Sequence, residues 1–340
     1  MEEKKEPETR ELAEYDEGFV PEYHKRKMSV EIVDAGENPD ANQNDAATGG
    51  ERVVAQIQEA QPVANVEKKY NNRCGPGKIQ IMMAGKALKE VLGAIKAIFY
   101  SKYGSSEVKF RATENGMTVA QIDPSHVAMV TVEMPKDSFV GYWYDTQAES
   151  VDIALDVDRL SKLMTYNKDD VITLEVKTDH DKAEKTLTVD NGSTKASMSV
   201  LDEDAVFVPR IPALMPTKDF AVLPPKKFQG ALRTAVLISD AARITFDKET
   251  LKVGAKSGEE SAETVFTKDE MKEFQVNEPG KVLYPIECLQ RMVNAIKGTD
   301  EFRMTLKEDY PAKIDFYLPV GRGATEKIHI TYFLAPRMEP

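Results

Sequence analysis

The sequence contains few of the residues that hold extracellular or metal-bound proteins together. It has 2 cysteines in 340 residues, Cys74 and Cys288, which by themselves build neither a disulfide framework nor a zinc site. No segment approaches the roughly 18 consecutive apolar residues that cross a bilayer, and the acidic opening MEEKKEPETRELAEYDE is the opposite of a secretory signal. We therefore expect a protein that stays in the cell, without a membrane segment, a metal or a cofactor.

Residues 1–77 lack the sustained apolar periodicity of a folded domain. They are rich in Glu, Asp, Asn, Gln and Ala, and their strongest turn signal is Gly75-Pro76-Gly77. Such a composition is typical of chains that cannot bury enough apolar surface to fold. We expect an acidic, disordered extension over 1–77, and a short helix over 51–66 remains the alternative.

After residue 77 the same order of elements occurs twice, as helix, strands, helix, strands. Apolar residues recur at the spacing of one buried helix face, and the Asn-Gly pairs at 115–116 and 191–192 are tight-hairpin signals. Short strands around two helices per copy indicate an α+β fold with antiparallel sheets. The predicted helices cover 85–99 and 158–166 in the first copy, and 227–238 and 284–297 in the second.

The two copies are joined by a proline-rich segment, residues 202–225, which reads DEDAVFVPRIPALMPTKDFAVLPP. Its prolines fix φ and remove backbone donors, so we expect neither a helix nor a central strand within it. The predicted organisation is an extension over 1–77, an N-terminal domain over 78–203, an interdomain connector over 204–225 and a C-terminal domain over 226–340.

Charge is distributed unevenly along the chain. The chain carries a formal charge of −12, yet each of the four predicted helices, counted with its flanking residues, carries a net positive charge. These residues could simply cover solvated helix faces. If the four helices converge on one place, however, that place attracts phosphate groups without reading base sequence.

Five motifs, spread in order over residues 78–340, resemble one family. They are KALKEVLGAIKAI at 86–98, IDPSHVAMV at 122–130, DDVITLEV at 169–176, KEDYPAKIDF at 307–316 and YFLAPRME at 332–339. Together they resemble the sliding clamps of archaea and eukaryotes, the proliferating cell nuclear antigen family. The extension over 1–77 has no counterpart in ordinary members of that family.

The resemblance implies a closed ring of three head-to-tail copies, built from two similar clamp domains per chain, each with two helices on antiparallel sheets. Such a ring encircles double-stranded DNA regardless of sequence and acts as a processivity factor for the replicative DNA polymerase, without catalysis. It also implies a place near the nucleoid in the cytoplasm, or in the nucleus if the host is eukaryotic. The edge strands that pair between copies are expected near 195–201 and 263–266.

The resemblance and the helix periodicity together name the DNA-binding candidates. Lys89, Lys96, Lys162 and Arg233 match basic positions of the family's central hole. Helix periodicity adds Arg159, Arg291 and Lys297, and Lys227 is included as a basic residue of the third predicted helix.

Partners of this family, including the polymerase and the clamp loader, insert a PCNA-interacting-protein box into an apolar pocket beneath the connector. Such a plug needs a cavity of medium-sized apolar side chains and backbone acceptors for its Gln. The matching positions in this chain are Ile122, His126, Met129, Leu214, Met215, Ala255, Pro311, Tyr332, Ala335 and Pro336.

Two rival interpretations remain. The chain could be a specialised subunit of a ring made from different chains. It could also be a hydrolase that uses His126 with Asp123 and Ser125, although neighbouring residues of a strand point to opposite faces and cannot form a triad there. The Asp179-His180-Asp181 tripeptide has the residue types of a metal site, but we expect it to be a hairpin tip.

Overall fold

The computed structural model describes residues 78–99, 106–164, 170–179, 184–320 and 324–338. The predicted extension over 1–77 lies outside these residues, as do His180 and Asp181 of the Asp179-His180-Asp181 tripeptide. Within the described part of the chain, no helix is long and apolar enough to cross a membrane.

The first half of the described chain alternates strands with two helices. Its elements are β1 (Lys78–Ala84), α1 (Gly85–Lys96), β2 (Glu107–Thr113), β3 (Gly116–Ile122), β4 (Ala128–Pro135), β5 (Gly141–Asp145), β6 (Val151–Asp156), α2 (Val157–Leu163), β7 (Val171–Asp179), β8 (Glu184–Asp190) and β9 (Lys195–Ser199).

The second half repeats this order element for element, which confirms the predicted α+β class. Its elements are β10 (Phe220–Leu223), α3 (Pro225–Ala235), β11 (Ala241–Phe246), β12 (Thr250–Ser257), β13 (Glu260–Thr267), β14 (Glu273–Gln275), β15 (Gly280–Pro285), α4 (Ile286–Ala295), β16 (Phe302–Thr305), β17 (Ala312–Leu318) and β18 (Ile328–Leu334).

The described strands form three antiparallel sheets. Their strand orders are β5-β1-β7-β8-β9, β13-β12-β11-β15, and β14-β10-β16-β17-β18-β4-β3-β2-β6. The nine-stranded sheet crosses from one half of the chain to the other where β18 pairs with β4, with Tyr332 opposite Val130. We call this pairing the domain junction.

The expectation that no central strand runs through 202–225 is wrong for its last part. Phe220–Leu223 forms β10, which pairs with β14 on one side and β16 on the other. The prolines flank this four-residue stretch instead of interrupting it, and Pro225 occupies the first turn of α3, where a missing N–H costs nothing. The strands of the second half therefore begin at Phe220, six residues before the predicted boundary.

The four helices form one continuous layer. α1 lies against both α2 and α4, and α4 lies against α3, so their order across the layer is α2-α1-α4-α3. In α1 the apolar face includes Leu88, Val91, Leu92 and Ile95, all buried. Because each helix turns its apolar stripe to the core, its polar residues are left on the opposite side.

Candidate functional site

The helical layer carries exposed basic side chains on all four helices or directly after them. Because the layer is continuous, residues from distant parts of the sequence share one surface, which we call the basic face. Its exposed members among the predicted DNA-binding residues are Lys89, Arg159, Lys162, Arg233 and Lys297.

Lys96 differs from these five because it is already paired. Its ammonium group forms an ion pair with Asp158 of α2. Asp158 also accepts a hydrogen bond from the hydroxyl of Ser106 at 2.8 Å. Two hydrogen bonds lower the pKa of Asp158 below its ordinary value, and the one from Lys96 has a larger effect than the one from Ser106. Lys96 therefore links α1 to α2 and offers less free charge than periodicity predicts.

Lys227 and Arg291 are also held by the protein. Lys227 donates to the carbonyl of Val265 at 2.9 Å, and its ammonium lies 2.5 Å from the Glu270 carboxylate. Arg291 of α4 donates from Nη1 to the carbonyl of Phe99, just after α1, at 2.8 Å. Arg291 thus ties the second half of the chain to the first. Helix periodicity placed both residues on helices but could not reveal these non-local contacts.

Half of the residues predicted to line the partner pocket lie on the nine-stranded sheet or on the connector. Ile122 of β3 is directly opposite Met129 of β4, and Phe333 of β18 is opposite Met129 on its other side. The backbone N–H of Met215 donates to the Tyr310 hydroxyl at 2.6 Å, next to Pro311. The connector is therefore anchored at Tyr310, next to Pro311, with Leu214 half-buried.

Exposed apolar side chains extend farther along the connector than predicted. Phe207 is 66% exposed, Ile211 58% and Met215 58%. Only Met215 was named from the sequence. Phe207 and Ile211 lie among prolines, so the sequence there has no helix or strand periodicity that could have separated exposed positions from buried ones.

His126 lies in a turn, not in a strand. Its φ of 58° is in the left-handed region, and the buried Asp123 carboxylate accepts from the N–H groups of Val127 at 2.7 Å and Ala128 at 2.6 Å, as well as from Ser125. The strand argument against a triad was therefore wrong in its premise. Asp123 nevertheless uses its carboxylate to close the turn, an arrangement that supports a structural role.

Three of the predicted partner residues are buried: Met129, which is 4% exposed, Ala255 and Tyr332. Tyr332 has 0% exposure, and its hydroxyl donates to the carbonyl of Ala94 in α1 at 2.9 Å, so its side chain belongs to the core. Ala255 is buried in β12. Ala335 and Pro336 are half-buried, and the N–H of Ala335 donates to the Val127 carbonyl at 2.9 Å, which brings the C-terminal residues beside the His126 turn.

The α+β unit occurs twice, its helices carry the basic face, its sheets lie on the other side of the helical layer, and the connector joins the two units. This arrangement defines a DNA-clamp type of protein. Residues 80–205 match the family described as proliferating cell nuclear antigen, N-terminal domain. A DNA polymerase sliding clamp of Thermoplasma acidophilum is 35% identical over 77% of this chain and 99% of its own length, and that of Archaeoglobus fulgidus is 32% identical over the same shares. The chain belongs to the proliferating cell nuclear antigen family of DNA polymerase sliding clamps.

Solved structures agree with this assignment. The structure described as the C-terminal region of FEN-1 bound to A. fulgidus PCNA has a TM-score of 0.64 and 30% identity, and it covers 77% of this chain and 99% of its own. PCNA from Entamoeba histolytica has a TM-score of 0.64 at 15% identity, over 76% of this chain and 99% of its own, and shows the shared fold alone.

Proposed function

We propose that three copies of this chain close head to tail into a ring that encircles duplex DNA and tethers the replicative polymerase. The observation that carries this proposal is that β9 and β13 are the repeat equivalents of β18 and β4. Within the described residues both are edge strands, whereas β18 and β4 pair with each other at the domain junction.

The equivalence rests on matching contacts. Leu201, just after β9, bridges to Ala154 of β6, and Arg337, just after β18, bridges to Leu283 of β15. Because β6 and β15 hold the same place in the two halves, β9 corresponds to β18. By the same topology β13 corresponds to β4. A strand pair that joins two halves within a chain can therefore be repeated between chains, and such head-to-tail contacts close when the rotation fits.

The register of that pairing can be transferred from the domain junction. At the junction Thr331 lies opposite Thr131, and Tyr332 opposite Val130. The equivalent positions place Lys195 of one copy opposite Glu263 of the next, and Ala196 opposite Ala262. Opposite charges that face each other across an antiparallel pair stabilise that register.

The basic face supplies the attraction for DNA. A chain of −12 that concentrates exposed Lys and Arg on one helical layer binds phosphates by charge, without base contacts, and such binding weakens as salt rises. The partner pocket beside the connector supplies the docking surface for proteins that carry a PCNA-interacting-protein box. The FEN-1 complex of the related archaeal protein supports that role, and no reaction is assigned to the chain.

The test combines solution mass with retention on DNA. The variant Lys89→Glu with Arg233→Glu should keep a mass near three subunits by light scattering, yet retain circular DNA at least tenfold less at moderate salt. The matched control is Lys248→Glu, which reverses the charge of an exposed residue in the turn between β11 and β12. This control should change neither the solution mass nor the retention on DNA. Normal retention of the double variant would contradict the basic face, and a monomeric wild type would favour a ring that requires other chains.

A further inference from the structure

A cavity of about 40 Å³ lies inside the core of the first half of the chain. Its lining side chains come mainly from the five-stranded sheet, from the first-half strands of the nine-stranded sheet, and from α1 and α2. All 16 lining residues are Ile, Leu, Val, Met or Phe, and none is more than 7% exposed. None of the 16 belongs to the basic face or to the predicted partner pocket, so neither role accounts for the cavity.

The second half has larger side chains at the equivalent positions. Leu88 and Phe228 are each the fourth residue of the equivalent helices α1 and α3, and both are buried. Met134 and Phe266 are each the second-last residue of the equivalent strands β4 and β13. The ring centroids of Phe228 and Phe266 lie 6.1 Å apart, and Phe302 packs edge-on against Phe228 at 5.3 Å. The first half has Leu88 and Met134 in place of two of these rings, and both line the cavity.

The apolar lining determines what the cavity can hold. A space of roughly 10 to 15 Å³ already admits a water molecule, but a buried water needs about two to four polar partners, and apolar side chains offer none. Buried apolar cavities stay dry, and an engineered one of about 150 Å³ lined by Leu, Ile and Phe takes up benzene or xenon. The cavity of about 40 Å³ is much smaller, so it favours xenon over benzene. Met83, Met117 and Met134 line it, and their unbranched, polarizable side chains adapt readily to a ligand.

We propose that this cavity binds one small apolar ligand, a xenon-sized atom or a hydrocarbon of a few carbon atoms, without a hydrogen bond or an ion pair. Atoms that line a void lack contact partners on one side, and a ligand restores these dispersion contacts. A ligand that binds the folded chain and not the unfolded chain stabilises the fold by mass action. The site depends on the core of the first half alone and does not rest on the proposed ring or on DNA binding.

Nuclear magnetic resonance tests the site, with xenon gas as the probe and the full chain isotope-labelled at its methionine methyl groups. The signals of Met83, Met117 and Met134 should shift with xenon pressure and reach a plateau. Met292 and Met304 of the second half, both with 0% exposure, should show no saturable shift. The site is overturned if the three cavity methyl groups reach no plateau, or if the two methyl groups of the second half respond equally.

Filling the cavity should remove this response. Met134→Phe introduces the residue that the second half has at the matching position, and it should abolish the saturable shifts of Met83 and Met117. The matched control is Met338→Phe, the same substitution at a side chain that is 91% exposed, which should leave xenon binding unchanged. Xenon should raise the urea midpoint of unfolding of the wild type and of the control, but not that of Met134→Phe.

A second variant, Leu88→Phe, fills the cavity from α1 and replaces Met134→Phe if circular dichroism shows that the latter does not fold. Saturable shifts that persist in a folded, filled variant place xenon elsewhere and overturn the site. A wild-type chain without saturable shifts overturns it whether or not either variant folds. Because these readouts report on the core of a single chain, failure of this site leaves the proposed ring untouched.

Discussion

The domain junction, where β18 pairs with β4, and the two edge strands β9 and β13 occupy equivalent places in the repeat but differ in their side chains. At the junction, Ile330, Tyr332 and Leu334 of β18 are fully buried against an apolar β4. The edge strands read KASMS in β9 and ESAETVFT in β13 and are largely exposed. Contacts fixed within one chain can be fully apolar, whereas edges that face water before assembly must stay polar to avoid indiscriminate pairing.

The sharpest difference lies at Tyr332. Its side chain fills the space between β18 and α1 and packs on Phe316, with ring centroids 5.7 Å apart. The equivalent residue in β9 is Ala196, which has no ring to insert. Shape complementarity therefore holds the two halves of a chain together, whereas we expect the proposed contact between copies to depend more on backbone pairing and charge.

The largest effect on this comparison should come from Tyr332→Ala. Removing a fully buried aromatic side chain costs about 3 to 5 kcal/mol and leaves the Ala94 carbonyl without its donor. We expect the urea midpoint of unfolding to fall strongly at every protein concentration. Tyr332→Phe keeps the ring and should cost only about 1 kcal/mol. A Tyr332→Ala variant of wild-type stability would mean that the junction does not depend on this side chain.

A smaller effect, confined to assembly, should follow from reversing charge at the edge. Lys195→Glu places two carboxylates opposite each other across the expected pair and should weaken association about tenfold without changing monomer stability. Combining Lys195→Glu with Glu263→Lys should restore association, because the two charges change places and are again opposite in sign. Sedimentation of the single and double variants measures both. A double variant as weak as Lys195→Glu alone would show that the register is wrong.

The sequence predicted the parts of the fold that have local signals. The helices followed from apolar spacing such as that of Leu88 and Val91, and the β2–β3 hairpin followed from its Asn-Gly turn. β5 was missed because Gly141–Asp145 is an aromatic edge strand without alternation between apolar and polar residues. β10 was missed because the flanking prolines masked a strand that is fixed by β14 and β16.

The functional residues were harder to assign, for a physical reason. Periodicity reports which face of a helix is polar, but it does not report what that face meets. Arg291 contacts Phe99, 192 residues away in sequence, and Tyr332 reaches Ala94 across the junction. These contacts depend on how the two halves pack together, so a pattern along the chain could name the residues without giving their roles.

A cluster of charged residues lies on the side of the domain junction that faces away from α1. This cluster distinguishes the junction further from the edge strands. His329 lies opposite Glu133, and its ring contacts the Asp315 carboxylate at 3.1 Å and stacks on Tyr317. The hydrogen bond to Asp315 raises the pKa of His329. Burial alone would raise the pKa of Asp315, but hydrogen bonds from His329 and Thr331 bring it below its ordinary value.

The smallest predicted effect is a pH dependence that belongs to the junction alone. A raised histidine pKa stabilises the folded chain fully below the unfolded value of about 6.5, and this contribution disappears as pH rises through the folded value. The lowered Asp315 pKa adds stability above about pH 4, which is lost on acidification. Stability should therefore fall by on the order of 1 kcal/mol on the alkaline side, since solvent screens the pair. His329→Gln should flatten that slope. At the edge, the position that matches His329 is Ser193, so association between copies should not follow this titration. An association constant that changes with pH in parallel with the free energy of unfolding would contradict the distinction between junction and edge.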